Sequence, residues 1–405
     1  MILVNSMMKW TAEVETWMDS KKRRVMLIGL DGATFDLIKP WAKEGKLSNL
    51  NKLLSGGVSG KLTAPWLPIT APLWISMLCG KNPGKHGIYD FSRVEKGYET
   101  VPVTIADADS EMGYDLLSDA GKKVILINVP TTYPAQPVNG IMISGMPAPQ
   151  LDENAVYPKE MLAELREQKY AILPEEVYEG ENEEKIVAEL DRLIDAHARV
   201  SVKLAKEKDW DFFFTVFFAT DIVGHWFWKH MDATHPLHCE RDAKFGGVIE
   251  HVYSKIDAAI GELIQCADEN TLIMVVSDHG MGPLYKDVFI NNWLMEKGYL
   301  KLKRNVLTRT KKVLHDRGAT LENAYKLAQK TGVAKVTAGT SASSERLRQF
   351  ILKNFFISFA DVDWNKTRAF SATNFGPIFI NLKGREKNGI VEQRDYDSLC
   401  REIID

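Results

Sequence analysis

Apolar and polar positions fall into blocks along the chain, and four of the apolar blocks are short and continuous. They cover residues 25–30, 123–128, 210–218 and 271–277. Continuous apolar runs of this length are typical of strands that are buried on both faces, as in a parallel sheet. The pattern therefore predicts a central, mostly parallel sheet.

Helical periodicity fills two of the intervals between these runs. Residues 185–206 carry apolar side chains at four-residue steps, and residues 244–266 repeat this pattern on one face. Alternating strands and helices predict an α/β fold in which helices flank the sheet and the crossovers are right-handed. In such folds, ligands bind outside the carboxyl ends of the strands.

The alternation stops near residue 300. Residues 300–354 contain thirteen Lys and Arg against three acids, and helical patterns cover 319–329 and 343–352. We expect the sheet to resume near residues 368–370 and 377–382. The predicted units are an N-terminal extension (1–24), an α/β core (25–299), a basic helical insertion or cap (300–365) and a return to the core (366–405).

The composition of the chain argues against several classes of protein. The 405 residues are 45% hydrophobic, and 51 Lys and Arg nearly balance 54 Asp and Glu. A near-neutral chain has no global field for duplex nucleic acid, and four scattered cysteines argue against a disulfide framework. No run is long enough for a transmembrane segment, and the N-terminus lacks the features of a secretory signal. We therefore predict a cytoplasmic protein, and its oligomeric state stays open.

The basic segment 300–354 permits two interpretations. Its positive charge could attract an anionic substrate or bind a membrane surface. It could equally be a solvated helical face, which is the interpretation that the sequence favours.

Acidic residues and histidines follow three of the predicted strands. Asp31 follows the first strand, Asp221 and His225 follow the Phe-rich strand, and Asp278 and His279 follow the last one. If these strands are neighbours, the side chains meet at one sheet edge, where three carboxylates would repel one another without a cation. Mixed Asp and His ligands suit Zn²⁺ or a similar divalent ion. Each group alone could be a turn, a helix cap or a helical i,i+4 pair, but together they favour a metal site.

A hydroxyl group lies in a Pro-rich segment, residues 65–87. Thr70 precedes a helix predicted from residue 71 or 72 to 78, and a helix N-terminus favours anions and developing negative charge. A free threonine hydroxyl is a poor nucleophile unless a metal or a base activates it. The turn alone favours the simpler role of a helix cap for Thr70.

These motifs, in this order and spacing, resemble the type I phosphodiesterase/nucleotide pyrophosphatase family of the alkaline phosphatase superfamily. The resemblance covers residues 25–405 and implies an alkaline-phosphatase-like core. It implies a metal-dependent phosphoric ester hydrolase that acts on a small phosphate ester. Thr70 would be the nucleophile and would carry a phospho-threonine intermediate.

The resemblance also implies two divalent ions, with Zn²⁺ expected and Mn²⁺ or Mg²⁺ as alternatives. Asp31, Asp278 and His279 would hold one ion together with Thr70. Asp221 and His225 would hold the other ion. His86 is expected to be structural and to shape the turn into Gly87.

Two departures from the family pattern keep other functions open. The second ion normally takes a further histidine, but only His315 follows His279, so we expect a missing C-terminal part and an incomplete metal site. Asp90 or Phe91 stands where nucleotide pyrophosphatases carry an asparagine. The alternatives are a phosphomonoesterase or phosphotransferase of the same superfamily, or a catalytically incomplete protein that binds metal and phosphate.

Three aromatic residues of this region, Trp66, Trp74 and Phe91, could line a substrate pocket or belong to the core. The core is the preferred assignment. A sulfatase is disfavoured because the segment after Thr70 lacks the arginine of the sulfatase motif.

Overall fold

The computed structural model describes residues 2–5, 23–95, 97–176, 178, 182–320, 323, 356–372 and 375–405. The chain divides into two compact units. The first comprises Met1–Phe91 and Pro102–Tyr285, and the second comprises Ser92–Val101 and Lys286–Asp405.

The strands, in chain order, are β1 (Ile2–Asn5), β2 (Arg24–Leu30), β3 (Gly57–Gly60), β4 (Ser92–Val94), β5 (Thr100–Pro102), β6 (Val124–Val129), β7 (Gly140–Ser144), β8 (Val156–Tyr157), β9 (Phe212–Phe217), β10 (Thr271–Val276), β11 (Ala369–Phe370) and β12 (Phe379–Ile380). Each of the four continuous apolar runs is therefore a strand. Eight strands form one sheet in the order β3-β1-β10-β2-β9-β6-β7-β8. The strands from β10 to β7 are parallel, whereas β1, β3 and β8 pair antiparallel at the two edges.

The helices are α1 (Phe35–Lys43), α2 (Ser48–Gly56), α3 (Thr70–Cys79), α4 (Pro83–His86), α5 (Gly113–Asp119), α6 (Met161–Glu167), α7 (Glu183–Glu207), α8 (Ala219–Met231), α9 (Val248–Ile264), α10 (Ile290–Lys297), α11 (Val306–Asp316) and α12 (Tyr396–Ile404). The two long helices predicted from periodicity correspond to α7 and α9. The predicted class, an α/β fold with a mostly parallel central sheet flanked by helices, is confirmed.

Alternation along the strands sends side chains to two separate cores. In β9, Phe213 and Phe217 join one apolar cluster, and Phe214 and Val216 join the other. The first cluster includes apolar residues of α8, and the second includes the apolar face of α3. Helices α3 and α8 therefore pack on opposite faces of the same sheet.

Register places the ends of three parallel strands side by side. Gly29 of β2 is level with Val276 of β10 and with Val216 of β9. The residues that follow these strands consequently leave the sheet at one edge. This alignment brings the segments after β2, β9 and β10 together.

The second unit has its own small core, in which the rings of Tyr98 and Trp364 stack at 3.5 Å between centroids. Strands β11 and β12, expected to continue the large sheet, pair with each other in a separate two-stranded sheet. The helices expected at 319–329 and 343–352 lie outside the described residues, apart from residues 319, 320 and 323. The predicted division of the chain at residues 24, 299 and 365 stays a prediction.

Within the described part of the chain, no helix combines the length and apolar character that crossing a membrane requires.

Candidate active site

The imidazole of His279 lies at the centre of the predicted cluster. Its Nε2 atom is 3.1 Å from the Thr70 hydroxyl, 3.4 Å from Oδ1 of Asp31 and 3.5 Å from Oδ2 of Asp278. Oδ1 of Asp221 lies 3.8 Å from the same nitrogen. Three segments that are far apart in the sequence therefore meet around one ring.

The other nitrogen of His279 makes a hydrogen bond outside the cluster. Nδ1 lies 2.8 Å from the carbonyl oxygen of Gly280, which can only accept, so Nδ1 carries the proton in the neutral ring. In that neutral form Nε2 carries the lone pair, whereas in the protonated ring, which the neighbouring carboxylates favour in the absence of a cation, Nε2 carries a proton as well. The neutral imidazole, oriented in this way, is the form that binds a metal ion.

Two donors fix the aspartate that follows β2. The indole Nε1 of Trp74 donates to Oδ2 of Asp31 at 2.7 Å, and the hydroxyl of Thr220 donates to the Asp31 carbonyl oxygen at 2.5 Å. Asp31 is fully buried, and its Oδ1 lies 3.4 Å from the Thr70 hydroxyl. One carboxylate oxygen is thus held by the fold while the other faces the cluster.

Gly32 allows the chain to turn between Asp31 and the neighbouring loops. Its φ of +65° is a left-handed conformation that favours glycine. The Gly32 amide donates to Oδ1 of Asp278 at 3.2 Å, and a Cβ here would lie 3.0 Å from Oδ1 of Asp221. The segment is therefore a turn, as one interpretation of the sequence had it, and its aspartate also faces the cluster.

Helix α8 contributes the remaining pair. Asp221 lies in its first turn, and Nε2 of His225, one turn later, is 3.3 Å from Oδ1 of Asp221. The contact with Asp221 raises the pKa of His225, whose side chain is 59% exposed. The pair thus consists of a buried carboxylate and an exposed imidazole.

Thr70 is the first residue of α3, and the cap position before it is Ile69, which makes no side-chain cap. The interpretation of Thr70 as a mere helix cap is therefore wrong. Its buried hydroxyl instead faces Asp31 and His279. The start of a ten-residue helix places a positive dipole end at this hydroxyl.

The electrostatics of the cluster favour a cation. Burial, followed by the charge of Asp278, raises the pKa of Asp31, and burial also raises the pKa of Asp278. Burial disfavours a charged His279, but the hydrogen bond and charges of Asp31 and Asp278 prevail and raise its pKa to about 10. Neighbouring carboxyl groups cannot all be ionised unless a positive charge lies among them. A divalent cation can supply that charge in place of protons.

The donor atoms also fit a metal ion. Asp31, Asp278 and His279 each offer a ligand atom, and these atoms lie within 4.8 Å of one another. Oδ1 of Asp221 and Oδ2 of Asp278 are buried and accept no hydrogen bond of ordinary geometry from the described residues. Buried carboxylate oxygens without a donor are costly, and a cation between them removes that cost.

Two donors in the site, Trp74 and Thr220, were not predicted to act there. Trp74 belongs to the core, as preferred, and also orients Asp31. Its position four residues after Thr70, on the same helix face, is the signal that could have indicated this role. Trp66, by contrast, is 85% exposed, and Phe91 is half-buried.

The other histidines considered from the sequence lie outside this cluster. His86 is buried, and its ring bonds to Ser76 at 2.9 Å and to the amide of Ile88 at 3.2 Å, beside Gly87 with φ of 78°. This is the structural role expected for it. His315 lies on α11 in the second unit, 3.6 Å from Asp316.

Comparison with known proteins identifies the family. The sequence pattern of the type I phosphodiesterase/nucleotide pyrophosphatase family matches residues 25–353. The match covers more than half of the chain, so the chain belongs to this family. No curated relative matches the chain.

Solved structures with some similarity have low sequence identity. Phosphonoacetate hydrolase from Sinorhizobium meliloti 1021, in complex with phosphonoformate, is 17% identical with a TM-score of 0.45, over 68% of this chain and 62% of that one. Murine ectonucleotide pyrophosphatase/phosphodiesterase 5 is 13% identical with a TM-score of 0.40, over 71% and 65%. The chain thus spans less than two thirds of the length of either structure.

Proposed function

We propose that this protein is a metal-dependent phosphoric ester hydrolase of the phosphodiesterase type, acting on a small-molecule phosphate ester through a phospho-threonine at Thr70. One observation carries the proposal. The Thr70 hydroxyl lies at a helix start, 3.1 Å from Nε2 of His279 and 3.4 Å from Oδ1 of Asp31, among buried carboxylates. The family match supports the same reaction class.

The proposal includes two divalent ions, with Zn²⁺ the best match to mixed Asp and His ligands and Mn²⁺ or Mg²⁺ as alternatives. Asp31, Asp278 and His279, together with Thr70, would hold one ion, and Asp221 and His225 the other. When bound, the ions supply Lewis-acid stabilisation of phosphoryl charge and activation of a hydroxyl or water.

Thr70 supplies the nucleophile. Its Oγ1 forms a bond to phosphorus while the ester P–O bond on the opposite side breaks, and the leaving oxygen takes up a proton from water. The Thr70 proton passes to solvent, because the neighbouring Oδ1 of Asp31 and Nε2 of His279 would be occupied as ligands of the ion. Water then attacks the phospho-threonine, the P–O bond to Thr70 breaks, and the hydroxyl is regenerated.

The fold prepares this chemistry in two ways. The N-terminal dipole of α3 favours the negative charge that builds on the phosphoryl oxygens. The donors Trp74 and Thr220 hold Asp31 in place before substrate arrives, so no side-chain reorganisation is needed in the transition state.

The proposal is tested by measuring metal content and hydrolysis of bis(p-nitrophenyl) phosphate and p-nitrophenyl phosphate. Thr70→Ala is expected to lower turnover about a thousandfold or more. It should keep its metal, because carboxylates and imidazoles supply most of the ligands. Thr70→Ser keeps a hydroxyl and is expected to retain part of the activity.

The control is Thr104→Ala, because Thr104 precedes a single 3₁₀ turn (Ile105–Asp107) and its hydroxyl donates to Asp107, outside the cluster. Undiminished turnover in Thr70→Ala would contradict the role of Thr70 as nucleophile. A wild-type protein with one bound ion and no turnover on either ester would support the alternative, a protein that binds metal and phosphate. Faster turnover of p-nitrophenyl phosphate would support a phosphomonoesterase.

A further inference from the structure

The methionine that follows the Asp278–His279–Gly280 turn packs into the site from outside the ligand set. A Cβ added at Gly224 would lie 2.7 Å from Cγ, 3.0 Å from Cε and 3.2 Å from Sδ of Met281. A Cβ at Gly32 would lie 3.2 Å from Cε of the same side chain. The thioether therefore occupies space that exists because both positions are glycines.

The two glycines belong to different parts of the cluster. Gly224 lies on α8 between Asp221 and His225, whereas Gly32 follows Asp31 and donates its amide to Asp278. A single side chain thus contacts the backbone beside both groups of ligands.

We propose that Met281 is a positioning residue that sets the spacing between the pair Asp221 and His225 and the group Asp31, Asp278 and His279. It acts through packing alone. This inference rests on the proposed metal-binding function, because spacing matters only if both groups serve neighbouring ions.

The chemistry of the side chains supports this role. A glycine inside a helix is less favourable than alanine by about 1 kcal/mol, so Gly224 lowers the intrinsic stability of α8 while making room for Met281. Methionine is unbranched and fills irregular gaps. Replacement by leucine, of similar volume, is tolerated in most cores, whereas alanine leaves a void.

The first test is Zn²⁺ affinity, measured in the absence of substrate by competition with a chromophoric chelator. Met281→Ala is expected to weaken binding about 10-fold or more, the range found when residues that orient metal ligands are removed. Met281→Leu is expected to bind nearly as the wild type. Circular dichroism melting of the metal-free proteins shows whether each variant is folded.

The second test is a rescue. Gly224→Ala forces a methyl group against Met281 and is expected to weaken Zn²⁺ binding by a similar factor. In the double variant Gly224→Ala/Met281→Ala, the small side chain at 281 makes room for the new methyl group. The double variant is therefore expected to bind more tightly than Gly224→Ala alone.

Two variants control for general packing damage. Gly261→Ala on α9 would bring a Cβ within 2.6 Å of the Asn49 side chain, and Met231→Ala removes a partly buried methionine at the end of α8. Both are expected to lower the melting temperature and to leave Zn²⁺ affinity unchanged.

The outcomes separate the inference from the proposed function. A wild-type protein that binds none of Zn²⁺, Mn²⁺ and Mg²⁺ contradicts the proposed function and the inference with it. Wild-type binding combined with unchanged affinity in Met281→Ala contradicts the inference alone. A double variant that binds no better than Gly224→Ala also overturns it.

Discussion

Asp31, Asp278 and His279 each divide their polar side-chain atoms between the cluster and the surrounding fold. Asp31 accepts from Trp74 with one oxygen, Asp278 accepts from the Gly32 amide, and His279 donates to the Gly280 carbonyl. The second atom of each group faces the cluster. Such outer hydrogen bonds orient metal ligands and raise their basicity.

The indole of Trp74 offers a test of this arrangement. Trp74→Phe keeps the buried ring but removes the donor to Oδ2 of Asp31. We expect Zn²⁺ affinity to fall about 10-fold, with a loss of turnover, measured by chelator competition and by ester hydrolysis.

Trp210 provides the comparison. Its buried indole donates to the Ala205 carbonyl at 3.0 Å, so Trp210→Phe removes a bond of the same type outside the cluster. That variant is expected to lose about 1 kcal/mol of stability and no Zn²⁺ affinity. Equal effects of the two variants on Zn²⁺ binding would contradict the role of Trp74.

The candidate ligands could be predicted from the sequence because acids and histidines directly follow apolar strands. The orientation of Asp31 could not be predicted, because its donors Trp74 and Thr220 reach it from two helices on opposite faces of the sheet. The orientation of the Thr70 hydroxyl could not be predicted either. A Thr before a helical pattern is compatible with a cap, and only the packed structure shows where its hydroxyl points.

At the scale of elements, four of the five parallel strands (β7 is the exception) and the crossover helices α7 and α9 could be predicted from the sequence, because burial on both faces leaves mostly apolar positions. The edge strands were not, because β3 and β8 have four and two residues and carry no long apolar run. The order of the strands in the sheet could not be predicted from the sequence either. Strand β2 pairs with β9 and β10, which lie far from it in the sequence. The helices between these strands do not indicate which strands become neighbours.

Gly29 of β2 connects the sheet to α3. A Cβ there would lie 2.6 Å from Cη2 of Trp74 and 2.8 Å from Cγ2 of Val216. We expect Gly29→Ala to lower the free energy of unfolding by about 1–3 kcal/mol, the usual cost of overpacking, measured by urea denaturation.

Because displaced Trp74 also releases Asp31, the same Gly29→Ala variant should bind Zn²⁺ more weakly. Gly60→Ala is the control, since a Cβ at Gly60 on β3 meets nothing within 4 Å. A Gly29 variant as stable as the Gly60 variant would show that α3 adjusts freely on the sheet.

At the scale of the whole molecule, the basic segment is partly neutralised where it is described. Lys311 of α11 is buried against Asp361 at 2.8 Å, and Lys312 pairs with Asp316. Lys311 is thus buried, whereas the side chain of Lys312 is partly exposed, as a solvated face requires. Most of residues 319–355 lie outside the described residues, so the wider role of the segment and the cytoplasmic location stay predictions.

Stability should depend on pH through a buried histidine on α7. Burial lowers the pKa of His197 to about 4, against the opposing effect of the hydrogen bond that Nε2 donates to the Ala171 carbonyl. An unfolded histidine has a pKa of about 6.5, so the unfolded state binds more protons between these values. The contribution of His197 is therefore complete above about pH 6.5 and is lost as pH falls to about 4, by about 3 kcal/mol.

Urea denaturation at about pH 7.5 and about pH 4.5 measures this loss. His197→Gln keeps a donor for the Ala171 carbonyl and is expected to lose less stability between the two pH values than the wild type. His251→Gln, at an exposed histidine, should keep the full loss. An equal loss of stability between the two pH values in the wild type and in His197→Gln would show that His197 is not the source of the pH dependence.

The hydrogen bond between Gly32 and Asp278 joins positions 246 residues apart, and the contact between Thr70 and His279 spans 209. Closing such long loops costs chain entropy before any contact repays it, and distant pairings slow folding. On the ribosome, no emerging chain can assemble the cluster until β10 has left the tunnel and aligned beside β2. Capture of a metal ion would then follow the alignment of β10 beside β2, and a nascent chain could not assemble the site before Asp278 and His279 have emerged.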